Sequence, residues 1–470
     1  MMTSQQKHST PNRLIIFVSG AFLLATLIAL INWEMNKHQM SARSADSQLQ
    51  RAIHQYDVTP IDLGPEQDPA KVALGQMLFF DKELSGNRDT SCATCHHPDH
   101  AGADGRSLPI GTGGEGLGPR RVLGKRGDVI PRNAPELFNR GSAEWVTMFW
   151  DGRVAMDVYG EEISGFVNPA DELLPVGLDN ALAVQAMFPP TSRDEMRGHE
   201  GDVDLYGSLN EVAFADADAQ TETWEMLTER LLSFDEYETL FATAYPNVPS
   251  EEIGFHHAAN ALAAFEIDAF SFNDSPWDRY VAGDQTALSD DEKQGALLFY
   301  GKANCATCHS GSLMTDQDFH NIGVPQLGPG KANPNGFDFG RFLETNRAPD
   351  RFTFRTPPLA NIALTAPYMH NGAYSTLEAT VRHHLNATDA LANYDLMQLE
   401  PDLRESGKLD ENSLAFLLNT LDEEMQTSIE LTELEFDQLM AFLNALTSPS
   451  AVDLSYLVPE QVPSGLPVAD

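Results

Sequence analysis

Read as apolar and polar positions, the chain is a series of helices separated by long punctuated loops. Residues His256 to Phe270 carry Ala and apolar side chains at helical spacing, and Leu414 to Leu421 and Leu434 to Leu446 do the same. Two further stretches share one plan: Leu74-Gly75-Gln76-Met77-Leu78-Phe79-Phe80 and Gln294-Gly295-Ala296-Leu297-Leu298-Phe299-Tyr300 each read as an amphipathic helix that carries a glycine. Gly- and Pro-rich loops fill intervals such as Ala101–Gly127 and Gly323–Gly340, and strand-like alternation is sparse. The pattern predicts a mainly α protein. Its internal repeat predicts two similar units, residues 58–275 and 284–448. Residues 38–57 are polar and read as a tether, and residues 449–470, with three prolines from Ala451 onward, read as a flexible tail.

The one long uncharged run is Leu14 to Ile31, with Lys7 and Arg13 before it and Glu34 and Lys37 after it. At 18 residues it is long for the core of a signal peptide and nearly long enough to span a bilayer. Residues 1–37 are therefore expected to be an N-terminal membrane anchor, one transmembrane helix with its positive flank in the cytoplasm. A cleaved signal segment is the alternative. Either way the remainder is expected in the bacterial periplasm, at the inner membrane if the anchor is kept.

Charge narrows the partners. The 470 residues hold 69 acidic and 30 basic side chains, a formal net charge of -39. Nucleic acid is excluded, because its phosphates demand Lys and Arg. A soluble partner with a basic face suits such a field, although solubility alone also accounts for it.

The chemistry is carried by a repeated pentapeptide. Cys92-Ala93-Thr94-Cys95-His96 recurs as Cys305-Ala306-Thr307-Cys308-His309, and the two copies hold all four cysteines of the chain. C-x-x-C-H attaches c-type haem: both thiols form thioethers to the porphyrin, and the adjacent His supplies an axial nitrogen. A zinc site would need four ligands close together, and a redox dithiol would not need a His after each pair. Two covalently bound haem c groups are the expected cofactors, each preceded by its helix of the repeated plan. Haem c is joined to apoprotein outside the cytoplasm, which agrees with export.

Further strings resemble the bacterial dihaem cytochrome c peroxidases and their methylamine-utilisation (MauG-type) relatives. They are Pro131-Arg132-Asn133-Ala134-Pro135, Phe149-Trp150-Asp151-Gly152-Arg153, Ser275-Pro276-Trp277-Asp278-Arg279-Tyr280, Thr356-Pro357-Pro358-Leu359-Ala360-Asn361 and Leu364-Thr365-Ala366-Pro367-Tyr368-Met369-His370-Asn371-Gly372. They follow the family order between about Leu63 and Leu446. The resemblance implies that peroxide reacts at the first haem and that electrons enter through the second, from a small donor such as a cytochrome c or cupredoxin. It makes His96 and His309 the proximal ligands.

At the position where the peroxidases carry a distal His, this chain has Thr112, a poor iron ligand, so the first haem is expected to keep an open face. His97 and His100 follow the motif too closely to cross to that face; His199 is the remaining alternative. For the second haem, the family's distal position falls on His384, with His383 as the near alternative and Met397 or Met369 as the thioether alternatives. Trp150 matches the family's aromatic between the haems. Glu195, in Asp194-Glu195-Met196, matches the family's acid–base carboxylate. A long insertion, about Glu161 to Thr191, separates it from Trp150, and the Gln expected ten residues after that Trp is Gly160. Asn133, Thr365 and Pro367 match positions that hold calcium between the domains, with one amide oxygen and two carbonyls suiting a hard cation.

The expected activity is dihaem peroxidase-like reduction of hydrogen peroxide. The rival readings are a MauG-like enzyme, which uses peroxide's oxidising equivalents at the haem to oxidise a protein or small-molecule substrate, and a dihaem electron carrier without catalysis. Partners expected are hydrogen peroxide, a small redox donor protein, the membrane through the N-terminal helix, and a second copy of the chain in a homodimer.

Overall fold

The computed structural model describes residues 28, 30, 31, 33, 45–160, 162, 164–215 and 220–468. The run Leu14–Ile31, expected to be the anchor, lies almost wholly outside the described residues. Among those residues no helix is long and apolar enough to cross a membrane.

The architecture is mainly helical, with short two- and three-stranded antiparallel sheets at the loops. Each half is built on one helix crossing. Pro69–Phe80 starts on the Asp68 cap, whose carboxylate accepts from the Ala70 amide at 2.8 Å, and has Pro at its first position. It packs against Phe255–Ala269. In the second half, Asp290–Phe299 packs against Glu433–Asn444. The shared glycine is explained by how closely these helices approach. A Cβ on Gly75 would sit 1.9 Å from the Ala261 carbonyl oxygen, and one on Gly295 would sit 1.9 Å from that of Gln438. Phe265 and Phe442 fill the equivalent place beside each crossing, with their Cβ atoms 2.8 Å from those hypothetical carbons. The internal repeat is thus a repeated backbone contact that any side chain at either glycine would force apart.

The two ends of the chain depart from expectation. Part of the supposed tether, residues 45–55, is a helix. Its Leu49 is fully buried in the core of the second half, beside Trp277, Tyr280 and Phe299. Asp46 fixes it there, accepting from the Tyr280 hydroxyl at 3.0 Å and pairing with Lys293 at 2.8 Å. The tail is not loose either. Ala451, Leu454, Leu457 and Val462 are buried in the core of the first half. The Gln76 amide donates to the Leu457 carbonyl at 2.8 Å, and the Ser464 hydroxyl donates to Asp81 at 2.7 Å. Each terminal segment therefore covers apolar surface of the half distant from it in sequence, and the two segments strap the halves together.

The insertion after Trp150 is structural as well. Phe166–Val167 adds a third strand beside Val154–Met156 and Thr147–Met148. The short helix Ala181–Ala186 that follows is buried against Phe255–Ala269.

Candidate functional site

Each C-x-x-C-H motif opens on its own cavity. Cys92, Cys95 and His96 line one of about 1330 Å³ in the first half, and Cys305, Cys308 and His309 line one of about 1690 Å³ in the second, mouths included. The four thiols are unpaired in the fold.

The two proximal histidines are set alike. The Nδ1–H of His96 donates to the Gly102 carbonyl at 3.0 Å, and that of His309 to the Met314 carbonyl at 3.0 Å. A backbone acceptor on Nδ1 fixes tautomer and ring plane, leaving Nε2 as the free ligand nitrogen. Burial lowers the pKa of both, His309 to about 4 with the adjoining His384 adding to the effect, so both rings stand neutral, the ligating form.

The cavities differ on the opposite side. In the second, His384 faces His309 with ring centres 6.5 Å apart, and its own Nδ1–H is held by the Thr380 carbonyl at 2.9 Å. Two imidazoles binding one metal from opposite sides through bonds of about 2 Å put their centres roughly 6 Å apart, so the pair fits a bis-His haem iron. His383, one helical step away, points elsewhere: its Nε2–H donates to the Ile322 carbonyl at 2.7 Å, and its Nδ1 accepts from the Tyr374 hydroxyl at 2.8 Å. Met397 is 64 % exposed, whereas Met369 lies on the cavity wall. His384→Ala is expected to abolish the low-spin signal of the second haem in electron paramagnetic resonance. His384→Met is expected to raise its potential, because a thioether donates less strongly than imidazole. His383→Ala is expected to destabilise the fold by about 1–3 kcal/mol, through its orphaned partners, and to leave that signal in place.

In the first cavity His96 is the only imidazole among the lining residues, with Met148 and Met196 as the thioethers. His199 is not on this wall: its Nε2 lies 3.2 Å from Asp194 and 3.4 Å from Asp128. Thr112 is not on the wall either. Its hydroxyl donates to Asp89 at 3.1 Å and accepts from the Asn87 amide at 2.8 Å, while its backbone N–H donates to the Glu195 carbonyl at 3.0 Å. The residue at the family's distal-His position thus braces the turn that carries Glu195. Gly111 makes this possible, because a Cβ there would meet the Asp194 carbonyl oxygen at 2.0 Å.

Glu195 itself lies on the cavity, on the π-helical turn Arg193–Arg197. Enclosure pushes its pKa up, Arg153 and Lys331 pull it back, and Asp194 and Asp151 push it further up. Gln185 shares this wall. It is the amide that sequence reading missed. The position counted from Trp150, Gly160, stands clear with nothing within 4 Å of its hypothetical Cβ. Gln185 lies inside the insertion Glu161 to Thr191, where a count from Trp150 does not reach it. Two further carboxyls lie on this wall: burial raises the pKa of Glu136, and pushes that of Glu266 up to about 8, with Arg140 opposing in both.

Trp150 lines both cavities. Its indole N–H donates to the Asn133 carbonyl at 2.9 Å, and its own carbonyl accepts from the Arg355 backbone N–H at 2.9 Å. The following Asp151 is fully buried among three cations: burial pushes its pKa up, but Arg132, Arg153 and Lys331 hold it well below the ordinary carboxylate range. Arg132 also pairs with Asp338 at 2.6 Å, so the Trp-Asp-Gly-Arg string is pinned to the second half.

Asn133, Thr365 and Pro367 all lie on the second cavity's wall. The Asn133 amide group donates to the Arg106 and Ser107 carbonyls at 2.8 and 3.3 Å, which leaves its Oδ1 without a role in those contacts.

Two c-type haem attachment sites separated by a shared aromatic define a dihaem cytochrome of the peroxidase type. The comparisons agree: residues 69–286 match the family described as di-haem cytochrome c peroxidase, and the chain belongs to that family. It is 32% identical to the methylamine utilization protein MauG of Methylorubrum extorquens, over 67% of this chain and 69% of that one. It is 30% identical to the cytochrome c551 peroxidase of Pseudomonas aeruginosa, over 66% and 69%. Among solved structures, a MauG-like protein associated with microbial copper homeostasis superposes with a TM-score of 0.55 at 28% identity, covering 84% of this chain and 95% of that one. The family carries two haem c groups, and the thiols, histidines and cavities described above fit them.

Proposed function

We propose that the protein reduces hydrogen peroxide at the His96 haem with electrons that enter at the His309 haem from a small redox protein. The observation that carries this reading is the asymmetry of the cavities. One sets two anchored imidazoles face to face, and the other sets a single imidazole against Glu195 and Gln185.

The first haem, when bound, supplies the electron transfer that breaks the O–O bond. Glu195, as carboxylate, takes the proton from the inner peroxide oxygen and returns it to the outer oxygen as water leaves. Gln185 holds the peroxide or water by its amide. Two electrons and two protons complete the conversion of one peroxide to two waters. Trp150 fills the space between the cavities and offers the route for those electrons. Asn133, Thr365 and Pro367 would hold a calcium ion that fixes the spacing of the halves. The work takes place outside the cytoplasm, with Leu14–Ile31 as the anchor.

A second reading has the same peroxide chemistry oxidising a substrate, as in the methylamine-utilisation branch. Thr112, braced where the peroxidases carry a distal His, favours it. Adding peroxide to the purified, fully oxidised holoprotein tests the shared step: one high-spin and one low-spin haem with a rapid optical change is expected. Two low-spin haems that do not respond would leave only electron carriage. Turnover with reduced cytochrome c then separates the two enzymatic readings.

A further inference from the structure

Six residues line both cavities: Asn133, Ala134, Pro135, Glu136, Trp150 and Arg355. Arg355 is the only cation among them, and the only Lys or Arg on the wall of the second cavity. It is 3 % exposed. Its guanidinium is aimed by two carbonyls: Nε donates to Phe149 at 3.1 Å and Nη1 to Thr356 at 3.3 Å.

Among the described residues, no carboxylate forms an ion pair with it. The other cations on the first cavity's wall are engaged: Arg132, Arg153 and Lys331 with Asp151, and Arg140 with Glu136 at 2.9 Å. Glu136 is the one carboxylate whose field Arg355 feels, and it is already held by Arg140, which itself repels Arg355. Burial pulls the Arg355 pKa down to about 9, with Arg140 adding to the fall and Glu136 opposing. The indole of Trp145, whose centre is 5.0 Å away, gives only cation–π support. A buried guanidinium without a counter-charge is strongly unfavourable. The counter-charge must come from what fills the cavities, and each haem brings two propionate carboxylates.

We infer that Arg355 is the common counter-charge of the two haems, its planar fork holding a propionate of each across the wall that Trp150 occupies. This rests on the dihaem reading above. One cation shared by two redox centres favours the reduced, less positive state of each more than a neutral residue would, and with the propionates present in either case its removal stabilises both ferric irons. Arg355 thereby couples the two potentials to one side chain. It is a positioning residue and takes no part in proton transfer.

The test is a potentiometric titration of the holoprotein, following both haems optically, with haem content checked by the pyridine haemochrome assay. Arg355→Leu is expected to shift both midpoint potentials downward together. Arg355→Lys, which keeps the charge, is expected to restore most of both shifts. With two haems bound, unchanged potentials or a shift at one haem alone would overturn the proposal. If the Leu variant does not fold, Arg355→Gln must give the same paired fall, since it retains a donor for the Phe149 and Thr356 carbonyls. A parent protein carrying fewer than two haems would instead overturn the dihaem reading, and this proposal with it.

Discussion

Glu195→Gln slows the reaction with hydrogen peroxide by about 100- to 10,000-fold, the range expected when a positioned general acid–base is removed. The exchange keeps the size and polarity of the side chain, and the turn beneath it is held by backbone contacts that do not involve the carboxyl: Thr112 N–H to the Glu195 carbonyl at 3.0 Å and Gly86 N–H to the Met196 carbonyl at 2.8 Å. Haem spectra and stability should therefore match the parent. Stopped-flow mixing across a pH series gives the sharper readout. Proton acceptance needs the carboxylate, and enclosure raises the pKa of Glu195 above the ordinary value. The parent's rate thus falls as pH drops through that raised pKa, and the Gln variant shows no such limb. Glu266 is the rival acid on the same wall, with a pKa of about 8. If Glu266→Gln rather than Glu195→Gln removes the pH limb, the proton belongs to Glu266. Equal rates for Glu195→Gln and the parent would remove Glu195 from the mechanism.

The chemistry of this chain is easier to read from sequence than its framework. Haem attachment needs two thiols and an imidazole within five consecutive residues, so the signal is local and survives any rearrangement around it. The helix glycines were visible for a similar reason, although only the crossings explain them. Gln185 was not found because its place depends on where the insertion re-enters the cavity, and counting forward from Trp150 ends at Gly160, in open space. Counting from Trp150 fails because Gln185 lies inside the insertion, where no spacing from a flanking motif is kept.

The terminal straps were misread for two different reasons. In residues 45–55 and just beyond, Leu49, Ala52, Ile53 and Tyr56 recur at helical spacing among polar neighbours, so the pattern was present and overlooked. In the tail, Leu454, Leu457, Val462 and Leu466 are buried one by one between Pro and Ser, with no period to detect. Their burial depends on a surface formed by residues hundreds of positions away. Thr112 shows the same limit at a single site. Its chemistry identified a residue unable to bind iron, but only the fold reveals that it braces Glu195.

Trp150→Phe slows the passage of oxidising equivalents from the first haem to the second. Trp150 is the only aromatic among the residues common to both cavities, so no other ring borders both. Phe is the right exchange, because Trp150→Ala would remove a large buried ring and cost about 3–5 kcal/mol, confusing electron transfer with collapse of the junction. Phe retains most of the packing and loses one hydrogen bond, to the Asn133 carbonyl at 2.9 Å, worth about 1 kcal/mol. The measurement is the rate at which the reduced second haem is oxidised after peroxide is added, followed at that haem's own optical bands. A slower phase with an unchanged first reaction places Trp150 on the electron route. If both phases keep the parent's rates, the indole serves only to pack the two halves together, and the route runs elsewhere through the shared wall, where Arg355 and the backbone of residues 133–136 remain.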